Sequence, residues 1–281
     1  MPGRVWRCGR FTLELDRTLV MGILNITPDS FSDGGRYTDP VVALEHGRDM
    51  GLLGADIVDV GGESTRPGSA EVAEAEELAR VGDVVTALVN GLDVPVSIDT
   101  RHSSVARACV TAGASIVNDV SGFRDPAMVE VAAECDAGLV VMHMLGEPKS
   151  MQDDPRYGDV VAEVREYLLG QAAMLEAAGI ARERIALDPG IGFGKTTAHN
   201  LELLERLDEL AHTGYPIVVG ASRKRFIGEL LGVTDPAKRV AGSMGVALWS
   251  ALHGADVVRV HDVEETAQAL TVAEAIGRRP R

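Results

Sequence analysis

Eight short apolar runs recur along the chain, at residues 19–24, 56–60, 94–98, 115–117, 138–142, 184–187, 216–219 and 256–260. Most are rich in Val and Ile and continuous rather than alternating, the pattern of strands buried on both faces of a parallel sheet. Eight stretches with helical spacing follow them in turn, at residues 40–53, 70–89, 103–112, 126–134, 160–178, 198–212, 236–253 and 263–276. An open doubly wound sheet usually has fewer strands, so eight strand-helix units predict an α/β fold closed as a (β/α)8 TIM barrel. A length of 281 residues suits one such barrel, read here as a single domain over residues 1–281. Residues 6–15 alternate weakly ahead of the first run and read as a short N-terminal hairpin across the barrel bottom.

Only 4% of the residues are aromatic against 46% hydrophobic, so aliphatic side chains must fill this core. The net charge of −15 repels nucleic acids and anionic membrane surfaces. Cys8, Cys109 and Cys135 are odd in number and widely spaced, which fits reduced thiols and a cytoplasmic location. The N-terminus lacks the apolar core of an export signal, and no apolar stretch approaches the ~18 residues of a membrane span.

In a barrel of this kind chemistry sits at the carboxyl ends of the strands. Here the runs end on Asn25, on Asp59 and Glu63, on Asp99, on Asn118 and Asp119, on His143, on Asp188, on Ser222, Arg223 and Lys224, and on Arg259 and His261. Each has a plainer reading. Asp99, just before a helix, suits an N-cap as well as a pocket, and His143 by itself reads as a satisfied structural histidine. Arg48, Arg80 and Arg107 fall within the helical stretches and read as solvated charges. Arg66, Lys195, Arg223, Lys224, Arg225 and Arg259, by contrast, gather at the carboxyl rim of an otherwise acidic chain, which implies an anionic substrate. Acceptors at Asp99, Asn118 and Asp188 beside Lys224 would suit a flat heterocycle offering both donors and acceptors. The segment GIGFGKT over residues 190–196 is not a nucleotide loop, because Pro189 stands where that pattern needs glycine. A glycine-rich turn around Phe193 is expected instead.

Several motifs in fixed order resemble those of the dihydropteroate synthases: GILNITPDSFSDGG over residues 22–35, DVGGESTRPG over 59–68, SIDT over 97–100 and NDVSG over 118–122, followed by MHM over 142–144, DPGIGFGK over 188–195, SRK over 222–224 and RVHD over 259–262. The resemblance runs end to end. It implies a (β/α)8 barrel that joins 6-hydroxymethyl-7,8-dihydropterin pyrophosphate to p-aminobenzoate, giving 7,8-dihydropteroate and pyrophosphate. It places Asp99, Asn118, Met142, Asp188, Phe193, Gly220 and Lys224 around the pterin. Asn25, Thr65, Arg66, Arg259 and His261 would hold the pyrophosphate, with Asn25 as the protein ligand of Mg²⁺. Phe31, Thr65, Arg66, Pro67, Phe193, Ser222 and Lys224 would form the p-aminobenzoate subsite. The catalytic groups implied are Lys224, Arg259 and His261, with Asp33 as an acceptor on the first loop. It further implies a homodimer built on the last helices, and inhibition by sulfonamides, which imitate p-aminobenzoate.

Two other readings compete. A folate-dependent methyltransferase would share the barrel and the Asp99 and Asn118 features, but such relatives generally lack the loop of residues 27–35 and the motif at Ser222 to Lys224, both intact here. A non-catalytic pterin-binding paralogue should have lost a strand-end group, and none is missing.

Overall fold

The computed structural model describes residues 4–26, 39–63, 72–146 and 151–277. An antiparallel hairpin opens the chain, β1 (Val5–Cys8) paired with β2 (Phe11–Glu14). Eight parallel strands follow: β3 (Leu19–Asn25), β4 (Ile57–Gly61), β5 (Val96–Asp99), β6 (Ile116–Asp119), β7 (Gly138–Met142), β8 (Ile185–Asp188), β9 (Val218–Val219) and β10 (Val257–Val260). They are hydrogen-bonded in the order β8-β7-β6-β5-β4-β3-β10-β9, and a parallel bridge between Leu187 and Ile217 joins the two ends. The barrel expected from eight buried runs is therefore what the chain forms.

Alternation along these strands divides the core in two. Val20, Leu24, Val58, Val60, Ile98, Val117, Leu139, Val141, Leu187, Val219 and Val258 face outward against the helices. Leu19, Met21, Ile57, Ile116, Val140, Ala186, Val218 and Val257 fill the lower interior. Trp6 belongs to this inner cluster and donates through Nε1 to Arg184 O at 2.9 Å, so the hairpin plugs the amino-terminal end as expected.

The helices are α1 (Pro40–Leu52), α2 (Glu74–Gly91), α3 (Ser103–Thr111), α4 (Pro126–Glu134), α5 (Val160–Ala177), α6 (Thr197–Glu205), α7 (Leu207–Ala211), α8 (Arg225–Leu231), α9 (Val240–Leu252) and α10 (Val263–Gly277). Their starts are written locally: Asp39, Asp125 and Asp159 accept from the first free backbone N–H groups of α1, α4 and α5, with proline in the first turn of α1 and α4. The expected helix over 198–212 is two helices that break at Arg206, and the stretch 236–253 begins as a 3₁₀ turn, Pro236–Arg239. Helix α8 was not expected at all; its seven residues follow directly on the rim residue Lys224. Among the described residues no helix is long and apolar enough to cross a membrane.

Candidate active site

The interior positions that are apolar at the bottom of the barrel become polar at the top. Strand register sets Asn25 opposite Gly61, Gly61 opposite Asp99, Asp99 opposite Asn118, and Met142 opposite Asp188. Asn25, Asp59, Asn118, Met142, Asp188 and Arg259 lie an even number of residues along their strands from the inner apolar cluster, and Asp99 follows the outward-facing Ile98, so all face the lumen.

Arg259 organises the centre. Its Nε lies 2.6 Å from Asp59 Oδ2 and its Nη2 2.7 Å from Asp99 Oδ2. Asp99 is therefore a pocket group; the N-cap of α3 is His102, and Asp99 takes no part in it. Asn118 Nδ2 reaches Asp59 Oδ2 at 3.4 Å. Asp59 is the central acid that the sequence reading left without a role, although a carboxylate inside the run IVDVG was the available signal. Among the described residues Asp59 Oδ1 and the Ser97 hydroxyl are buried with no partner, so the pocket floor keeps unused polar groups for a ligand.

Asp188 closes the other side. Its Oδ1 accepts from Gly190 N at 2.7 Å, and burial raises its pKa against the opposing charge of Lys224. The Lys224 ammonium donates to Ile191 O and lies 4.2 Å from the centre of the Phe193 ring. Gly220 lies between Arg259 and Asp188: a Cβ built there would be 3.7 Å from Arg259 Cβ and 3.8 Å from Asp188 Oδ2. Met142 belongs to an apolar wall with Val120, Met144 and Met151, against which Phe193 packs. Ser222 is turned toward β10, with its hydroxyl 3.0 Å from His261 Nδ1 and accepting from His261 N at 3.2 Å.

Not every expected rim cation reaches the pocket. Lys195 is buried and directed inward to backbone carbonyls. Arg223 pairs with Asp262, and Arg225 with Glu229 on the exposed side of α8. Arg223 has a φ of 57°, a left-handed conformation costly for a side chain. Its N–H donates to Ser243 Oγ at 2.8 Å and its carbonyl accepts from Arg239 Nη1 at 3.0 Å, contacts that hold the turn presenting Lys224. Arg80 also departs from expectation, since its Nη1 donates to Gly62 O at 2.8 Å, bracing the end of β4. Phe31, Asp33, Thr65, Arg66 and Pro67 lie outside the described residues.

Residues 21–261 match the family described as pterin binding enzyme. The dihydropteroate synthase of Neisseria meningitidis serogroup C is 50% identical over 281 residues, covering 99% of this chain and 99% of that protein. The chain belongs to the dihydropteroate synthase family. A Yersinia pestis dihydropteroate synthase in a sulfonamide drug complex has 45% identity and a TM-score of 0.94, over 98% of this chain and 100% of that one. The Burkholderia cenocepacia dihydropteroate synthase complexed with 7,8-dihydropteroate has 46% identity and a TM-score of 0.89, over 98% and 97%. In this member of the dihydropteroate synthase family the polar groups converge at the carboxyl end of the barrel.

One further cluster could be mistaken for a metal centre. Glu63, Glu77 and His102 bring donor atoms within 4.8 Å of one another. Glu63, however, already receives Arg101 at 3.1 and 3.2 Å, and His102 Nδ1 lies 2.6 Å from Glu77 Oε2. The cluster is an ion-pair network just beyond the carboxyl end of β4, where Val72 N also donates to Glu63 Oε1 at 3.2 Å.

Burial pushes Asp99 up to about 7 despite Arg259, and pushes Lys224 down to about 7 despite Asp188. Between its ordinary 3.8 and 7 the folded protein keeps a proton on Asp99 that the unfolded chain has released, so stability falls as pH rises. Between 7 and the ordinary 10.5 the unfolded chain keeps a proton that folded Lys224 has released, so stability rises with pH. The ligand-free enzyme is thus expected to have a stability minimum near neutrality from these two groups. Urea midpoints measured across that range should show the rise above neutral pH vanish in Lys224→Met; a variant curve parallel to the wild type would refute the assignment.

Proposed function

We propose that this chain condenses 6-hydroxymethyl-7,8-dihydropterin pyrophosphate with p-aminobenzoate, releasing 7,8-dihydropteroate and pyrophosphate, within one domain over residues 1–281. The observation that carries this reading is the convergence of Asp188, Asn118, Asp99, Lys224 and Arg259 in the lumen of a barrel whose family relatives include one complexed with 7,8-dihydropteroate. Asp188, tied down by Gly190 N, would accept from the amino and ring N–H groups of the pterin, and Asn118 and Lys224 would meet its remaining polar edge. Such pairing is selective because a buried polar group left unpaired costs about 1–3 kcal/mol. Met142, Gly220 and Phe193 supply the walls.

In the reaction the bond from the pterin methylene carbon to the pyrophosphate oxygen breaks, and its electron pair leaves with the oxygen. The amine nitrogen of p-aminobenzoate then bonds the methylene carbon and loses a proton to solvent. No covalent enzyme intermediate is needed, so positioning and electrostatics do the catalysis. Arg259, with its Nη1 edge making no hydrogen bond among the described residues, would face the pyrophosphate together with His261, Thr65 and Arg66. Mg²⁺, when bound, would neutralise the departing pyrophosphate. Asn25 fits it: its amide oxygen and Asp99 Oδ2 would lie 3.7 Å and 3.8 Å from a Cβ built on Gly61, and a hard cation takes most of its remaining ligands from phosphate and water. Asp33 would act as an acceptor near the reacting amine, and Phe31, Thr65, Pro67, Phe193, Ser222 and Lys224 would enclose p-aminobenzoate. Pterin pyrophosphate, lying deeper, would bind first.

The homodimer is proposed on α8, α9 and α10, where Leu230, Leu231, Trp249, Leu252, Val272 and Ile276 are exposed. With Cys8, Cys109 and Cys135 all free, we place the enzyme in the cytoplasm. The deciding assay is pyrophosphate release with the pterin pyrophosphate, Mg²⁺ and p-aminobenzoate. Release is expected to require p-aminobenzoate and to be inhibited competitively by a sulfonamide. Pterin binding without release would instead indicate the non-catalytic paralogue, and release insensitive to sulfonamide would refute the subsite.

A further inference from the structure

Lys195 is 2% exposed in a segment whose sequence suggested a rim cation. Its Nζ has four neighbours at hydrogen-bond distance, Gly190 O at 3.0 Å, Phe193 O at 3.0 Å, His143 Nδ1 at 2.9 Å and His143 O at 3.5 Å. Burial, with Lys195 alongside, drives His143 down to about 3, and burial drives Lys195 itself well below the ordinary lysine value, so a neutral imidazole meets an amine that still keeps N–H groups for the carbonyls. Three glycines with left-handed backbone, Gly190 at φ 65°, Gly192 at 83° and Gly194 at 60°, curl the chain about this point. The result is a turn in which each carbonyl from 190 to 194 meets a side-chain donor. Gly190 and Phe193 are held by Lys195, Ile191 by Lys224, Gly192 by Gln152 at 2.7 Å, and Gly194 by Tyr157 at 2.8 Å.

We propose that Lys195 is a positioning residue that fixes the Phe193 ring and the Lys224 ammonium for p-aminobenzoate. This rests on the reading above, in which Phe193 and Lys224 line that subsite. The geometry leaves Lys195 no route to substrate, because its Nζ is enclosed between the carbonyls of the turn and His143. It acts on Phe193 through that residue's own carbonyl. It acts on Lys224 through the turn that supplies Ile191 O, and the Phe193 ring then lies 4.2 Å from the Lys224 ammonium. Asp99, Asn118 and Asp188 sit on strands β5, β6 and β8, whose backbone ladders make no bond to Lys195. Losing Lys195 should therefore disturb one substrate far more than the other.

The test uses full-length Lys195→Met, which keeps the length of the side chain and removes its donors. The KM for p-aminobenzoate is expected to rise roughly tenfold, kcat to fall by less than about threefold, and the Kd of the pterin pyrophosphate, titrated without p-aminobenzoate, to change by less than about threefold. A purely structural role would lower kcat through a smaller active fraction with KM unchanged, and that result overturns the proposal. Equal weakening of both substrates overturns it too. Should the Met variant be insoluble, Lys195→Gln decides: its amide keeps two N–H donors on a shorter stem, and an intermediate rise in KM is expected, whereas a wild-type KM overturns the proposal. A wild-type protein that releases no pyrophosphate with p-aminobenzoate would retire the functional reading, which is a separate outcome from an unchanged KM in an active enzyme.

Discussion

Arg259→Ala is expected to lower p-aminobenzoate-dependent pyrophosphate release by about 10²–10³-fold, the loss typical of removing one preorganised charge-stabilising donor, and to destabilise the fold in a pH-dependent way. The guanidinium is the only partner that the described residues give Asp99 in a hydrogen bond, and with Asn118 it is one of two that they give Asp59. Removing one member of a fully buried ion pair costs about 3–5 kcal/mol. Here the Arg259 side chain keeps 19% of its surface exposed, so about 2–3 kcal/mol is expected at mildly alkaline pH, where both acids would be left charged and facing each other. Asp99 already titrates at about 7 because burial outweighs Arg259, and without the arginine it moves higher. At pH values below that, Asp99 takes up a proton and the repulsion with Asp59 is relieved, so the destabilisation should shrink toward pH 6. Urea denaturation at about pH 6 and pH 8.5 separates the two regimes. Equal losses at both values would mean that Asp59 and Asp99 are not the groups Arg259 stabilises.

Much of this arrangement was legible before any coordinates, and the reason is burial. A strand enclosed by helices outside and side chains inside has no solvated face, so 19–24 and 138–142 read as unbroken apolar runs and their ends stand out. Asn25, Asp99, Asn118, Asp188 and Arg259 could be read as site residues because polar groups at the ends of so many runs converge on one rim and fall within the family's motifs. Helix α8 was missed because RFIGELL is only two turns long and carries no side-chain cap, leaving little periodicity to detect. Lys195 was misplaced for a different reason. Charge suggests solvent, but a left-handed glycine turn reverses the direction in which the next side chain points, and three-dimensional curl is invisible to a count of cations. The same blindness applies to other buried cations that bind carbonyl oxygens. Arg184 donates to Ala137 O at 2.9 Å and Ala132 O at 2.8 Å, Arg239 to Arg223 O, and Arg80 to Gly62 O. In this acidic chain several arginines and Lys195 are parts of the scaffold that aims the site, while Arg259 and Lys224 belong to the site itself.

That scaffold makes Gly190→Ala the most damaging substitution expected outside the reacting groups. At φ 65° a Cβ at this position would lie 1.9 Å from His143 O, a backbone atom that cannot move aside because His143 N is itself bonded to Asp188 O at 3.0 Å. Left-handed backbone at a non-glycine residue costs about 1–2 kcal/mol by itself. The clash adds the displacement of the β7 end and loss of the Gly190 N contact with Asp188, for a total of roughly 4 kcal/mol or more, the range reserved for severe lesions. Against a typical total stability of about 5–15 kcal/mol, most of the variant should be recovered unfolded or aggregated. Gly192→Ala is the informative contrast. Its φ of 83° carries similar backbone strain, but its Cβ would meet Lys224 Cδ at 2.9 Å, the middle of a flexible side chain. The second variant should fold, with a denaturation midpoint only modestly lowered, and should lose turnover because Lys224 is pushed from Ile191 O and Phe193. Soluble yield and circular dichroism test the first expectation, and pyrophosphate release tests the second. A well-folded Gly190→Ala protein would show that the turn can open away from His143, and the tight fit of Gly190 between the end of β7 and the Asp188 carboxylate would have to be abandoned.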